Sequence, residues 1–370
     1  MTNQQDYRIS DPDALETPAM LLFQDIMDHN IRSACELVGG GQNLIAHVKT
    51  HKSIDVARRQ VQAGIHGFKC ATLKELEMVL QAGAQKAILS YPQVQERKVE
   101  RLCELVSTYP DAWIASIASS SVHIDILAAV AERRGQSLRV MLDVDVGMKR
   151  TGVGIGSGAE DLYRDVSSNA YLIPSGFHLY DGHHEISDPA TREAEATRNI
   201  ELSQQLRTQM ESEGIPVPCI VAGGGFSSLY YARSEGMFGS PGTFVYWDIG
   251  YSKAMPDLPY RCAALVLTQV VDSFPEAGKV TTDLGSKAVS SDLPLEERAL
   301  IVGYDAARLV GQSEEHGVLH FPGKLPSVGD YLLAIPGHVC PTTIRYPGIH
   351  VVDSAGKVID YYLHTARDRI

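Results

Sequence analysis

The 370-residue chain has no apolar run long enough to cross a bilayer. With 44% hydrophobic and 21% charged residues, it reads as a soluble globular protein with enough chain for a sizeable core. Its six cysteines (Cys35, Cys70, Cys103, Cys219, Cys262 and Cys340) form no CxxC pair. That argues against a disulfide framework and for reduced thiols, five of which are expected to be small buried hydrophobes. There is no dense Lys/Arg block and the formal net charge is −12, so neither nucleic acid nor an anionic membrane is the expected partner. The stretch from Met1 to Pro12 is polar and lacks the basic-then-apolar order of a signal peptide, so a cytoplasmic location is expected. No early GxGxxG, GxxxxGK[ST], internal repeat or low-complexity tract occurs, and triphosphate hydrolysis is not suggested. A small molecule is the expected ligand.

What is present is a rhythm. Short β-rich runs alternate with longer amphipathic segments every 20 to 35 residues, roughly the spacing of parallel βα units. Strands are expected at Ala19–Phe23, Asn43–Val48, Gly67–Ala71, Lys86–Ser90, Ala112–Ser116, Ser137–Val144, Ser175–Leu179 and Pro218–Ala222, with another near Thr243–Asp248. Helices are expected over Leu73–Ala82, Val94–Thr108, Ser121–Arg134 and Thr191–Glu213, where apolar residues recur at helical spacing. Eight or nine units favour a (β/α)8 TIM-type barrel over an open doubly wound sheet. After Gly250 the chain breaks into short strand-like runs, with helical periodicity only at Leu295–Ala299. The expected division is a barrel over residues 1–250 and a smaller, mostly β domain over 251–370.

Chemistry-bearing residues fall where the loops after barrel strands build active sites. Lys49 ends the apolar run Leu44–Val48 and is followed by Thr50-His51-Lys52. An amine there suits attack on a carbonyl, although a loop lysine after a strand has the same local pattern. Arg150, in Gly147-Met148-Lys149-Arg150-Thr151-Gly152-Val153, presents a fork of donors for an anion or phenolate. Alternation in Gly176–Asp181 turns His178 and Tyr180 to one side, and His183 and His184 follow, at a spacing that matches no strong zinc motif. Gly223-Gly224-Gly225-Phe226-Ser227-Ser228 joins a strand to an expected helix start and suits a phosphate, whose binding sites in barrels lie after the last strands. In Gly337-His338-Val339-Cys340-Pro341, residues two apart on an extended segment put an imidazole and a thiolate on one side, a soft pair for zinc.

An amine, a ring-facing arginine and tyrosine, and a phosphate cup together describe a pyridoxal phosphate site. In wording and order, His47-Val48-Lys49-Thr50-His51-Lys52 and the motifs after it resemble the fold-type III pyridoxal phosphate enzymes, in the group of D-threonine aldolase, D-serine dehydratase and D-3-hydroxyaspartate lyases. The resemblance runs from Thr17-Pro18-Ala19 to Pro341. It implies that Lys49 carries the cofactor, that Arg150 contacts the phenolic side of its ring, and that Tyr180 lies beside the ring. It further implies that Gly223, Gly224, Gly225, Phe226 and Ser227 hold the phosphate with Tyr246 nearby, and that His338 and Cys340 bind a divalent metal, Mn²⁺ or Zn²⁺.

The resemblance also implies a lyase for D-3-hydroxy amino acids, with His338 as a candidate base, and a homodimer. Pro341-Thr342 and Asp283-Leu284-Gly285-Ser286-Lys287-Ala288 resemble the aldolases, whereas a cysteine at 340 resembles the dehydratases, and His178 stands where aldolases commonly carry glutamine. The leading expectation is cleavage to glycine and an aldehyde, as in D-threonine aldolase. The alternative is loss of water and ammonia from D-serine or D-3-hydroxyaspartate. A non-catalytic cofactor carrier would have no use for His338 and Cys340. A metal-dependent hydrolase built on His183 and His184 would leave Lys49 and the glycines unexplained.

Overall fold

In the computed structural model, residues 7–369 are described; the first half of the polar stretch Met1 to Pro12 lies outside the described residues. Strand β1 (Ala19–Phe23) leads into α1 (Gln24–Leu37), and a parallel sheet begins after it. Its strands are β2 (Ile45–His47), β3 (Gly67–Cys70), β4 (Lys86–Leu89), β5 (Trp113–Ala118) and β6 (Leu138–Asp145), then, beyond the two-residue β7 (Val153–Gly154), β8 (Leu172–Leu179), β9 (Ile220–Ala222) and β10 (Met237–Gly239). They pair in the order β10-β9-β8-β6-β5-β4-β3-β2, and a parallel bridge from Leu44 to Gly239 joins the two ends. Eight parallel strands thus make a nearly closed barrel, as the spacing predicts.

Helices α2 (Ile54–Gln62), α3 (Leu73–Gln81), α4 (Glu96–Thr108), α5 (Ser121–Arg134), α6 (Ser157–Ser168) and α7 (Pro189–Ser212) supply the crossovers, and a single turn, α8 (Ser228–Ala232), follows β9. Local signals fix several of their ends. Thr72 caps α3 by accepting from the Glu75 N–H at 3.1 Å, while the Glu75 carboxylate reaches back to the Ala71 N–H at 2.6 Å. Asp188 caps α7 with Pro189 at its first position, and Gly135 ends α5 in the left-handed region at φ +63.

Inside the barrel, Ile45, Ile88, Ala115, Ile117, Met141, Cys219 and Val221 form one apolar cluster. Strand alternation then puts Asp143, two residues beyond Met141, on the same side but nearer the C-terminal rim. The rim therefore carries the polar groups and the layer beneath it excludes water.

The remaining strands form a second, mostly antiparallel sheet: β11 (Ala264–Phe274), β12 (Lys279–Thr282), β13 (Ala299–Ile301), β14 (Arg308–Gln312), β15 (Gly317–His320), β16 (Tyr331–Pro336), β17 (Gly348–Val352) and β18 (Val358–Leu363). The main order is β14-β15-β12-β11-β1-β17-β18, with β16 pairing β11 and β13. Strand β1, expected among the barrel strands, lies here, antiparallel to β11 and parallel to β17. All five of its residues are buried, a pattern equally suited to either sheet, so only tertiary pairing assigns it. Two short helices, α9 (Ile249–Ala254) and α10 (Val339–Thr343), complete the chain.

Other expectations change. Thr243–Asp248 is not a strand: Thr243–Val245 is a 3-10 turn and Trp247 has φ +53. The eighth barrel strand is instead β10, three residues long and so lacking a readable alternation. Leu295–Ala299 is a 3-10 turn, Leu295–Glu297, that runs into β13. Four cysteines and not five are buried, Cys70, Cys103, Cys219 and Cys262, while Cys35 and Cys340 are each half-buried.

By contacts, the described chain forms two compact units. One contains the chain up to Ser33, Thr50–Val56 and Thr243–Arg367; the other contains Ala34–Lys49, Ala57–Gly242 and the residues after Arg367.

Candidate active site

The barrel unit gathers one cluster at the C-terminal ends of its strands. Lys49 follows β2, where the His47 N–H donates to the Pro241 carbonyl at 2.8 Å and the Val48 N–H to the Lys69 carbonyl at 3.1 Å. The Lys49 N–H in turn donates to Nδ1 of His47 at 3.3 Å. The lysine backbone is thus tied to neighbours on both sides while its side chain stays half-buried.

Arg150 is aimed by the turn before it. Asp145 Oδ1 accepts from the N–H groups of Gly147 and Lys149 at 3.1 and 3.0 Å, and Lys149 sits at φ +54. A non-glycine residue in that region costs about 1–2 kcal/mol, which the two hydrogen bonds offset. The turn directs the Arg150 guanidinium over the Tyr180 ring, 4.5 Å from its centroid. Lys49 Nζ lies 5.8 Å from the same centroid, so the expected trio of Lys49, Arg150 and Tyr180 does come together.

Tyr180 packs against glycines because nothing larger fits. A Cβ on Gly224 would lie 2.9 Å from its ring, and one on Gly182 would lie 2.4 Å away. Gly223 has φ +82, and its own Cβ would meet Tyr231 at 2.8 Å. The cup follows β9, the seventh barrel strand, where barrel phosphate sites lie.

Two details of the cup differ from expectation. The helix after it, α8, has only five residues, too short for a developed dipole, so any phosphate would rely on backbone N–H groups. The Ser227 hydroxyl is also engaged: it donates to Asp181 Oδ1 at 2.7 Å and accepts from the Gly224 N–H at 3.3 Å. Asp181 takes a second hydrogen bond from the Tyr231 hydroxyl at 2.9 Å. The N–H groups of Gly225 and Ser227 make no hydrogen bond with another described residue, and Gly225 and Phe226 remain half-buried at the cup's edge.

Asp143 and Lys69, which motif reading did not single out for a role, join the cluster together with His178, which it turned to the same side as Tyr180. Asp143 accepts from His178, with Nδ1 and Oδ1 2.7 Å apart and both side chains buried. Burial opposes charge on each. The imidazole stays neutral, its proton affinity lowered mainly by desolvation, and donates to a carboxylate that the hydrogen bond keeps ionised below the usual range despite burial. Nε2 of His178 is buried with no hydrogen-bond partner among the described residues. Lys69 on β3 is 2% exposed, and its Nζ lies 5.4 Å from the Tyr180 centroid. Burial, followed by the charges of Lys49 and Arg150, lowers its ammonium from 10.5 to about 7 against the opposing pull of Asp143 and Asp181. The sequence signal for Lys69 was a charged residue inside the apolar strand Gly67-Phe68-Lys69-Cys70.

The second unit holds the other expected residues. His338 and Cys340 are not on an extended segment: His338 precedes α10 and Cys340 lies within its first turn. They still meet. Burial alone would lower the His338 imidazolium, but a hydrogen bond to Cys340 and another to Asp292, 2.6 Å from Nδ1, push it up to about 9. A carboxylate on Nδ1 leaves Nε2 for the thiolate side, the usual orientation of a metal-binding histidine. Thr50 Oγ1 lies 3.2 Å and Thr243 Oγ1 3.6 Å from the Cys340 sulfur. Thr50 is the residue after Lys49. No group of three His, Cys, Asp or Glu side chains converges among the described residues, so the pair has no third such ligand there. Tyr246 is fully buried, with its ring centroid 6.3 Å from that of His51 and no hydrogen-bond partner for its hydroxyl among the described residues. The His183 and His184 rings lie 3.9 Å apart and belong to no such metal group.

A primary amine, a flat arginine–tyrosine face and a backbone cup suit a phosphorylated aromatic aldehyde, and an oriented imidazole beside a thiolate suits a soft divalent metal.

Comparison with known proteins agrees. Residues 24–249 match the family model of the alanine racemase N-terminal domain, and residues 263–352 match a putative serine dehydratase domain. Over 345 residues the chain is 26% identical to 3-hydroxy-D-aspartate aldolase of Paracoccus denitrificans (strain Pd 1222), covering 90% of this chain and 87% of that protein. It is 25% identical over 385 residues to D-threo-3-hydroxyaspartate dehydratase of Delftia sp. (strain HT23), covering 93% and 96%. The crystal structure of D-threonine aldolase from Filomicrobium marinum superposes with a TM-score of 0.87 at 26% identity, covering 95% of this chain and 96% of that one. No helix among the described residues is long and apolar enough to cross a membrane. The chain belongs to the alanine racemase N-terminal domain family and, within it, to the fold-type III pyridoxal phosphate lyases grouped around D-threonine aldolase and D-serine dehydratase.

Proposed function

We propose that the protein is a pyridoxal phosphate- and divalent-metal-dependent lyase of the D-threonine aldolase type, cleaving a D-3-hydroxy amino acid to glycine and an aldehyde. The observation that carries this reading is the Lys49 amine beside the Arg150–Tyr180 face, on a barrel whose seventh strand ends in the glycine cup. When bound, the cofactor withdraws electrons from the substrate's Cα and the metal, Mn²⁺ or Zn²⁺, polarises its β-hydroxyl.

The chain's own residues supply the rest. Lys49 would hold the cofactor through its amine, the nucleophile that suits an aldehyde. Arg150 and Tyr180 fix the plane of the ring, while Gly223, Gly224, Gly225, Phe226 and the Ser227 backbone receive the phosphate, with Tyr246 assigned beside it. His338 and Cys340 would hold the metal, with the His338 ring oriented by Asp292; His338 is the base for the β-hydroxyl proton only with its Nε2 off the metal.

A dehydratase acting on D-serine or D-3-hydroxyaspartate is the second reading, favoured by the cysteine at 340 and the similarity to the Delftia enzyme. In that case the freed Lys49 amine takes the Cα proton. We further assign a cytoplasmic homodimer, to be checked by fractionation and by light scattering of the loaded protein.

Incubation with D-threonine, pyridoxal phosphate and Mn²⁺ or Zn²⁺ tests the function. Glycine plus acetaldehyde supports the aldolase, and 2-oxobutanoate plus ammonia supports the dehydratase. A protein that stays colourless with the cofactor, and whose Lys49 takes no label on borohydride reduction, would overturn both.

A further inference from the structure

Lys69 has no task in the reaction above, yet its side chain lies at the centre of the cluster. It is 2% exposed on β3, and no hydrogen bond or ion pair with a described residue holds its amine. Its near neighbour is the Tyr180 ring, 5.4 Å from Nζ, the same ring that Lys49 and Arg150 approach to 5.8 and 4.5 Å. The two nearby carboxylates are engaged elsewhere, Asp143 with His178 and Asp181 with Ser227 and Tyr231. A methionine of similar length would pack here without the cost of desolvating an unpaired ammonium, so packing does not explain the amine. Burial and two cationic neighbours drive the proton off, leaving a group that changes charge near pH 7.

We propose that Lys69 is a catalytic base of this site, the amine that removes a proton from the ammonium group of the incoming amino acid. The proposal rests on the pyridoxal phosphate reading of Lys49. One N–H bond of the substrate ammonium breaks and its electron pair stays on the substrate nitrogen. The lone pair of Lys69 Nζ forms the new N–H bond. The neutral substrate amine then displaces Lys49, which leaves as a neutral amine, and Lys69 loses its proton to solvent. Aldolase and dehydratase chemistry share this opening step, so the assignment does not depend on which follows.

The test uses the cofactor-loaded enzyme and D-alanine, which has no β-hydroxyl and so separates exchange at Lys49 from cleavage. The visible absorbance change is followed by stopped flow across the neutral range in wild type, Lys69→Met and Lys69→Gln. The wild-type rate is expected to fall as pH drops below about 7. Both variants are expected to keep the cofactor absorbance but exchange on the order of 100-fold more slowly, with partial rescue by added methylamine. Wild-type rates and pH dependence in both variants would overturn the proposal. So would a lower melting temperature in both, which would make the amine structural. A wild-type protein that takes up no pyridoxal phosphate would overturn the cofactor reading along with it.

Discussion

His178 donates its Nδ1 hydrogen to Asp143 across 2.7 Å, between β8 and β6, with both side chains in the barrel interior. The carboxylate fixes the tautomer and leaves Nε2 buried without a partner among the described residues. Asp143→Ala removes the acceptor and strands the ring N–H, so a loss of roughly 1–3 kcal/mol is expected, seen as a melting temperature lower by about 2–4 °C. Thermal denaturation of the variant checks this.

The same pair sets a pH dependence. Because burial lowers the proton affinity of His178, the unfolded imidazole binds a proton that the folded one refuses, and stability declines as pH falls below 6.5. Asp143, depressed below 3.8, contributes stability that is lost only at still lower pH. His178→Gln keeps a hydrogen-bonding side chain that does not titrate. Its melting temperature is expected to be flatter than that of wild type just below pH 6.5; parallel curves would be inconsistent with this pair.

Gly224→Ala brings a Cβ to 2.9 Å from the Tyr180 ring, which must then move off the cup. Gly223→Ala adds the strain of φ +82 and a contact of 2.8 Å with Tyr231. Each variant is expected to lose pyridoxal phosphate affinity by roughly tenfold or more, on the scale of 1–2 kcal/mol of strain. Equilibrium titration of the visible absorbance measures it.

Cys340→Ala is expected to leave the visible absorbance of the loaded enzyme intact and to abolish metal-dependent turnover. A chelator should do the same to wild type and be reversed by added Mn²⁺ or Zn²⁺. Turnover unaffected by either change would remove the metal from the mechanism.

Lys69 carries a stability signature of its own. Its folded pKa, about 7, lies below the 10.5 of the free side chain, so its cost to the fold is full below pH 7 and disappears toward pH 10.5. Lys69→Met is expected to raise the melting temperature at pH 6, where the relief is on the order of 5 kcal/mol, and to leave it nearly unchanged at high pH. Calorimetry at two pH values reads the difference.

Most of the barrel was legible because βα units repeat a local pattern of apolar run, turn and amphipathic helix. Ser121–Arg134 coincides with its expected limits, since caps act over a few residues. Lys49, Arg150, Tyr180 and the Gly223–Gly225 cup were also marked by their motifs. Short elements were not: β10 has too few residues to show a period, and Thr243–Val245 has strand-like composition but turns.

The amino-acid sequence alone determined the alternation of elements, the apolar filling of the barrel and the residue types at its rim, because each depends on spacing along the chain. The tertiary structure decided which sheet took β1, that His178 faces Asp143, and that Lys69 shares the Tyr180 ring with Lys49 and Arg150. Those relations join residues far apart in sequence through strand register and barrel closure. The altered proton affinities follow from the same cause, since burial and neighbouring charge exist only once the strands have met.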